Sequence, residues 1–298
     1  MDFRTILYVT DFSTNSLKAL GPAMALAEAY GGTLRICHVD EEEALYAFRG
    51  SQDLVDFMDR IERVRVQRLE ELADEVSGAG IETEIVRLKG YASQQILEYT
   101  ERDPVDLVAT STLGGEGLRS LLMGTTASNV IRHCVRPVLT VGGRCTPPTP
   151  FCIERIIAPV DFSPAAQGGV DVAVDLAERF GATLCLVHVV KTPSFIPALG
   201  EDVLTGSLRH TDHRVRLMQA EVARLSERLG EDRVHHEVAV AVDEAEEISR
   251  MAVRQKGDLI VMTRRGQGIL EGVLFGRIVE EVVKTAPVPV LLLPVAEV

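Results

Sequence analysis

The chain has 298 residues, enough for two domains of ordinary size, and its 46% hydrophobic and 25% charged residues are the balance of a protein that buries a real core. A formal net charge of −13 argues against a general nucleic-acid binder, because phosphate backbones demand a positive surface. No apolar run approaches the ~18 residues of a bilayer-spanning helix, and the start MDFRTILYVTDFS enters a strand without the segments of a secretion signal, so a cytoplasmic location without membrane partners is expected.

In chain order, Thr5 to Thr10 is a short apolar run ending in Asp-Phe-Ser, the pattern of a buried strand followed by a helix cap at Asp11 or Ser13. Apolar residues at Leu17, Leu20, Met24 and Ala27 predict one helix from about Thr14 to Tyr30, stopped by Gly31-Gly32. A strand over Thr33 to Val39, an acidic loop, an amphipathic helix over about Asp53 to Val76 and a strand over Glu82 to Leu88 follow. Then come a short helix over Ser93 to Glu101, a strand over Asp106 to Thr110, a glycine-containing loop, a helix from Thr125 to about His133 and a last strand over Val138 to Val141.

The scheme is then repeated. ILYVTDFS at Ile6 to Ser13 matches IIAPVDFS at Ile156 to Ser163, and LAEAYGGTLRICHV at Leu26 to Val39 matches LAERFGATLCLVHV at Leu176 to Val189. Near the end of each half, Gly114 aligns with Gly266, Gly124 with Gly276 and Pro137 with Pro289. The chain is therefore read as a tandem duplication, with domains over 1–143 and 153–298 and a Pro-rich linker over 144–152. Strands alternating with helices predict, in each half, a doubly wound, mainly parallel five-stranded α/β sheet with helices on both faces. Ligands of such sheets bind outside the C-terminal strand ends where strand order reverses, which is where Asp11, Val39 and the stretch from Ser111 to Gly114 are expected to meet.

In each half a glycine follows a strand (Gly114, Gly266), nine residues intervene, and a second glycine opens a helix (Gly124, Gly276). Such a loop suits a phosphate, since glycine permits tight turns and a helix start offers unpaired N–H groups and a positive dipole end. It is not a Walker A loop, having no Gly-Lys-Ser/Thr, and it does not follow the first strand as a dinucleotide fingerprint would.

These motifs resemble the universal stress protein domain, an adenine-nucleotide-binding α/β family with the site pattern G-x2-G-x9-G-[ST], and the tandem form covers essentially the whole chain. The first half reads Ser111-x2-Gly114-x9-Gly124-Thr125, departing at the first glycine; the second reads Thr263-x2-Gly266-x9-Gly276-Arg277, departing at both ends. Asp11 and Asp161 after the first strand, and His38-Val39 and His188-Val189 at the end of the second, also fit the resemblance. It implies a site for ATP or AMP, chiefly in the first half, lined by Val9, Thr10, Asp11, Val39, Thr110 and Ser111 with Gly114, Gly124, Thr125 and Thr126. The aligned second set is Pro159, Asp161, Val189, Met262 and Thr263 with Gly266, Gly276 and Arg277, the last placed either to fill the phosphate position or to clamp a phosphate with Arg264 and Arg265.

The resemblance further implies a stress-response regulator in which the last strands pair domain with domain as an intramolecular pseudo-dimer, with scope for a homodimer and a protein partner. Two alternatives stand beside it: a scaffold whose sites have decayed, and a slow ATPase using Thr125, Thr126 and Glu116 as phosphate or Mg²⁺ contacts. No catalytic constellation is evident. Asp11 and Asp161 have a plain reading as helix caps, and His38 and His188 as residues satisfying a local hydrogen bond. Cys37 and Cys185 are expected as small core residues, and His210, Asp212, His213, His235 and His236 as surface residues.

Overall fold

The computed structural model describes residues 1–41, 52–113, 123–193, 211–264 and 276–294. Its contacts divide the chain into two compact units, one built mainly from Asp2–Gly143 and the other mainly from Cys152–Val298.

In the first unit, β1 (Thr5–Val9), β2 (Thr33–Asp40), β3 (Glu82–Lys89), β4 (Leu107–Ser111) and β5 (Val138–Val141) form a parallel sheet in the order β3-β2-β1-β4-β5. The chain adds strands outward from β1 to β3, then returns to place β4 on the other flank of β1. Strand order thus reverses between β1 and β4, and the crevice beyond their C-terminal ends is open to a ligand. Ile6, Leu7, Tyr8, Leu34 and Ile36 are fully buried between the layers.

The helices of this unit are α1 (Thr14–Leu17), α2 (Leu20–Tyr30), α3 (Gln52–Gly78), α4 (Ala92–Arg102) and α5 (Thr125–His133). The single helix expected from Thr14 to Tyr30 is interrupted at Lys18-Ala19. Pro22 explains the break, since it has no N–H to donate to the carbonyl of Lys18 and its ring crowds that carbonyl. Lys18 and Ala19 instead donate three residues back, to Asn15 and Ser16. Gly31 ends α2 in the left-handed region at φ 56°, where its N–H bonds the helix carbonyl of Glu28.

The second unit repeats the plan with β6 (Arg155–Pro159), β7 (Thr183–Lys191), β8 (Val234–Ala241), β9 (Leu259–Thr263) and β10 (Val290–Leu293), ordered β8-β7-β6-β9-β10 and parallel throughout. Its helices are α6 (Pro164–Phe180), α7 (Thr211–Leu229), α8 (Glu244–Arg254) and α9 (Arg277–Thr285). Here Pro164 sits in the first turn of α6, where its missing N–H costs nothing, and the helix runs unbroken. No described helix is long and apolar enough to cross a membrane. Burial raises the thiols of Cys37 and Cys185 to about 12, so both stay protonated within their strands.

Candidate functional site

The Asp-Phe-Ser turn after the first strand of each unit is built the same way twice. Asp11 Oδ1 accepts a 3.0 Å bond from the N–H of Ser13, and Asp161 Oδ1 a 2.9 Å bond from that of Ser163. The helix caps are the serines, whose hydroxyls accept from Ser16 N–H and Ala166 N–H. Between them Phe12 and Phe162 take left-handed backbone at φ 63° and 61°, a strained conformation for a bulky side chain. Each ring rests on a histidine, Phe12 on His38 at 4.5 Å and Phe162 on His188 at 5.0 Å. Nδ1 of His38 lies 2.9 Å from the Thr10 carbonyl, and Nδ1 of His188 lies 2.6 Å from that of Val160, so each imidazole donates back to the strand it faces. Burial holds His188 below the usual histidine range, with Arg214 adding to the effect.

Opposite this turn stands a helix start. Gly124 opens α5 at φ −60°, ψ 149°, and Gly276 opens α9 at φ −76°, ψ 145°. Both angles are extended backbone that any residue adopts, so the tight turning that glycine permits is not used at these two positions. What they supply is an N-cap without a side chain, so the first N–H groups of α5 and α9 stay uncapped by side chains. Backbone bonds fix each start against the preceding strand: Gly124 N–H to Thr112 O at 2.9 Å, and Gly276 N–H to Arg264 O at 3.0 Å.

A cavity of about 330 Å³ joins these parts in the first unit. Val9, Thr10, Asp11, Val39, Thr110 and Ser111 line it, with Gly124, Thr125 and Thr126 from the helix start. The corresponding cavity in the second unit, about 590 Å³, is lined by Pro159, Asp161, Val189, Met262 and Thr263, with Gly276 and Arg277. Every described residue of the two sequence-derived sets is thus gathered at one of two cavities; Gly114, Gly266, Arg265, Glu116 and His210 lie outside the described residues. Arg264 is buried, and Asp212 and His213 are exposed. Among the described residues no group of three or more His, Cys, Asp or Glu gathers as a metal site.

Ser111 ends β4, one residue later than the strand predicted from sequence, and is buried. Its hydroxyl donates to the Leu113 carbonyl at 2.5 Å and so shows a ligand only lone pairs. The hydroxyl that replaces the first motif glycine thus has its donor committed to the Leu113 carbonyl.

Other lining residues stand outside the two site sets that the resemblance implies. His38, Glu41 and Ala92 border the first cavity; His188, Lys191, Arg214 and Glu244 border the second. Glu41 and Lys191 were within reach, each lying two residues past a named valine. Arg214 was not, because α7 carries no motif that ties it to the strand ends.

The Universal stress protein family model matches this chain twice, over residues 2–142 and 153–294. A universal stress protein of Methanocaldococcus jannaschii is 32% identical over 140 residues, which are 46% of this chain and 80% of that protein. One from Mycolicibacterium smegmatis is 24% identical over 224 residues, 73% of this chain and 70% of its own. The crystal structure of a universal stress protein from Archaeoglobus fulgidus is similar in fold with a TM-score of 0.68, at 19% identity and covering 99% of each chain. With both halves matched over nearly their full length, the chain belongs to the universal stress protein family and carries two of its domains in tandem.

Proposed function

We propose that the protein is a stress-response regulator whose ligand is an adenine nucleotide, ATP or AMP, held in the strand-end cavities. One observation carries the reading: in each half an uncapped, glycine-led helix start opens on the same cavity as the aspartate and the valine that end two other segments. The apolar wall at Val39 or Val189 suits a base, the carboxylate of Asp11 or Asp161 suits a donor such as an amino group, and the open N–H groups suit phosphate. Volumes of about 330 and 590 Å³ fall within the range of small-molecule sites, about 300–1,000 Å³. The hydroxyls of Thr125 and Thr126 support the first half as a nucleotide site in its own right.

The test has two parts. Purified protein is denatured and its released small molecules are identified by mass spectrometry, then ATP and AMP are titrated calorimetrically into wild type, Gly124→Val and Gly276→Val. Valine places a bulky side chain over the helix start and should remove the heat of the half it blocks. Absence of any adenine nucleotide together with absence of heat from wild type would sink the reading. The ratio of heat lost in the two variants measures the preference between halves.

A further inference from the structure

We infer that the two cavities differ in what they read, and that the second selects its ligand by negative charge, taking a nucleotide with a polyphosphate chain in preference to the uncharged nucleoside. This rests on the adenine-nucleotide reading above and adds the specificity of one site.

Among the described residues, the charge lining the two cavities is opposite in sense. Among the described residues lining the first are the carboxylates of Asp11 and Glu41 and no lysine or arginine. The second is bordered by three cations from three separate elements: Lys191 at the end of β7, Arg214 in the first turn of α7 and Arg277 at the start of α9. Asp161 and Glu244 oppose them. Glu244 is engaged by Lys191, Nζ to Oε2 at 3.2 Å, whereas Arg214 and Arg277 have no carboxylate partner among the described residues. Arg214 is instead laid over the ring of Phe162, with Cζ 5.4 Å from its centroid, which positions the guanidinium beside the cavity while leaving its N–H groups available.

Arg277 stands at the wrong end of its helix. A cation in the first turn opposes the helix dipole, and the three-residue-later Glu280, which would suit that end, is bonded to Lys284 at 3.0 Å. Thr125 holds the equivalent first position of α5 without this conflict. An anion seated against the uncapped N–H groups of α9 would resolve the conflict at Arg277, since the guanidinium and the helix start would then share one negative partner. The start of α5 carries no such cation, since Thr125 takes that position. In the first cavity the Ser111 hydroxyl donates to the Leu113 carbonyl, so it would offer a phosphate only lone pairs, which do not attract an anion.

The experiment uses the full chain with ¹³C-methyl methionine, because the Met262 side chain lines the second cavity and reports on it directly. Adenosine, AMP, ATP and inorganic tripolyphosphate are titrated in EDTA, so that only the protein supplies positive charge, and the Met262 resonance is assigned with Met262→Leu. Affinity should rise from adenosine through AMP to ATP and fall with added salt. Arg277→Gln should weaken ATP about tenfold and leave adenosine unchanged, while Arg277→Lys keeps most of the ATP affinity. Adenosine binding within about threefold of ATP, or ATP binding unaltered by Arg277→Gln, overturns the charge selection while leaving the adenine reading in place. Tripolyphosphate that binds as tightly as ATP, and is lost in Arg277→Gln, keeps the anion site and removes the adenine reading. A Met262 signal that responds to none of the four compounds overturns both.

Discussion

Lys191 and Glu244 meet at 3.2 Å beside the second cavity, and at the same place in the first half Glu41 takes a 2.9 Å bond from the backbone N–H of Ala92. Both contacts join the end of the second strand to the start of the helix that follows the third strand, α8 in one half and α4 in the other. The duplicated scaffold has kept the contact and reversed the charge of its strand-end member. In the first half the result is a carboxylate at the cavity that serves as a helix cap.

Glu41→Gln separates the cap from the charge. The glutamine carbonyl can still accept from Ala92 N–H, so the loss of stability should stay below about 1 kcal/mol, within the range of helix-end electrostatics. ATP affinity of the first half should rise several-fold as the repulsive carboxylate disappears. Calorimetry in the Arg277→Gln background, which quiets the second half, reads the change; an affinity that falls would show that Glu41 holds the ligand.

Arg277 offers a stability test that needs no ligand. In the unliganded protein its charge opposes the α9 dipole from an exposed position. Arg277→Gln should therefore stabilise by about 0.3–1 kcal/mol at low ionic strength, and the gain should shrink with salt. Urea denaturation measures it. A destabilised variant would mean that Arg277 has a supporting contact that outweighs the dipole.

Much of this was legible in the sequence, for identifiable reasons. The offset between Asp11 and Asp161 exposed the duplication, and short apolar runs separated by amphipathic stretches implied the parallel sheets. The strand ends that carry Val39, Ser111 and their counterparts could be placed because a doubly wound sheet has few topologies. The break before Leu20 was missed because hydrophobic period outweighed Pro22. Gly124 opens its helix as expected, but its useful property there is the missing side chain rather than the tight turn that glycine permits. Arg214 could not be foreseen, since only the packing of α7 beside Phe162 brings it to the cavity.

The duplication also supplies an internal control for packing. Gly32 and Ala182 are equivalent positions just before β2 and β7. A Cβ built on Gly32 would lie 2.5 Å from the Arg4 carbonyl oxygen and 2.9 Å from its carbon, both backbone atoms that cannot rotate away. The second half accommodates a methyl at this point, so the constraint is local to the first. Gly32→Ala should destabilise by about 1–3 kcal/mol, the usual cost of overpacking. Ala182→Gly should cost less, about 1 kcal/mol from added chain freedom. Thermal or urea unfolding of the pair checks the order; equal costs would remove the steric argument.

His188 gives a dependence on pH with a definite sign. Burial, reinforced by Arg214, lowers its folded value below the 6.5 of an ordinary histidine, so the folded protein binds this proton less readily than the unfolded chain. Stability contributed by the neutral imidazole is complete above the unfolded value and is lost as pH falls toward the folded one. Part of the decline on acidification from neutrality should therefore belong to His188. His188→Gln can keep a donor toward the Val160 carbonyl while removing the titration, so its stability should fall less steeply across the same pH range. Urea unfolding of both proteins at closely spaced pH values measures the two slopes. Parallel slopes would show that His188 takes up its proton equally in both states, and the burial argument would fail.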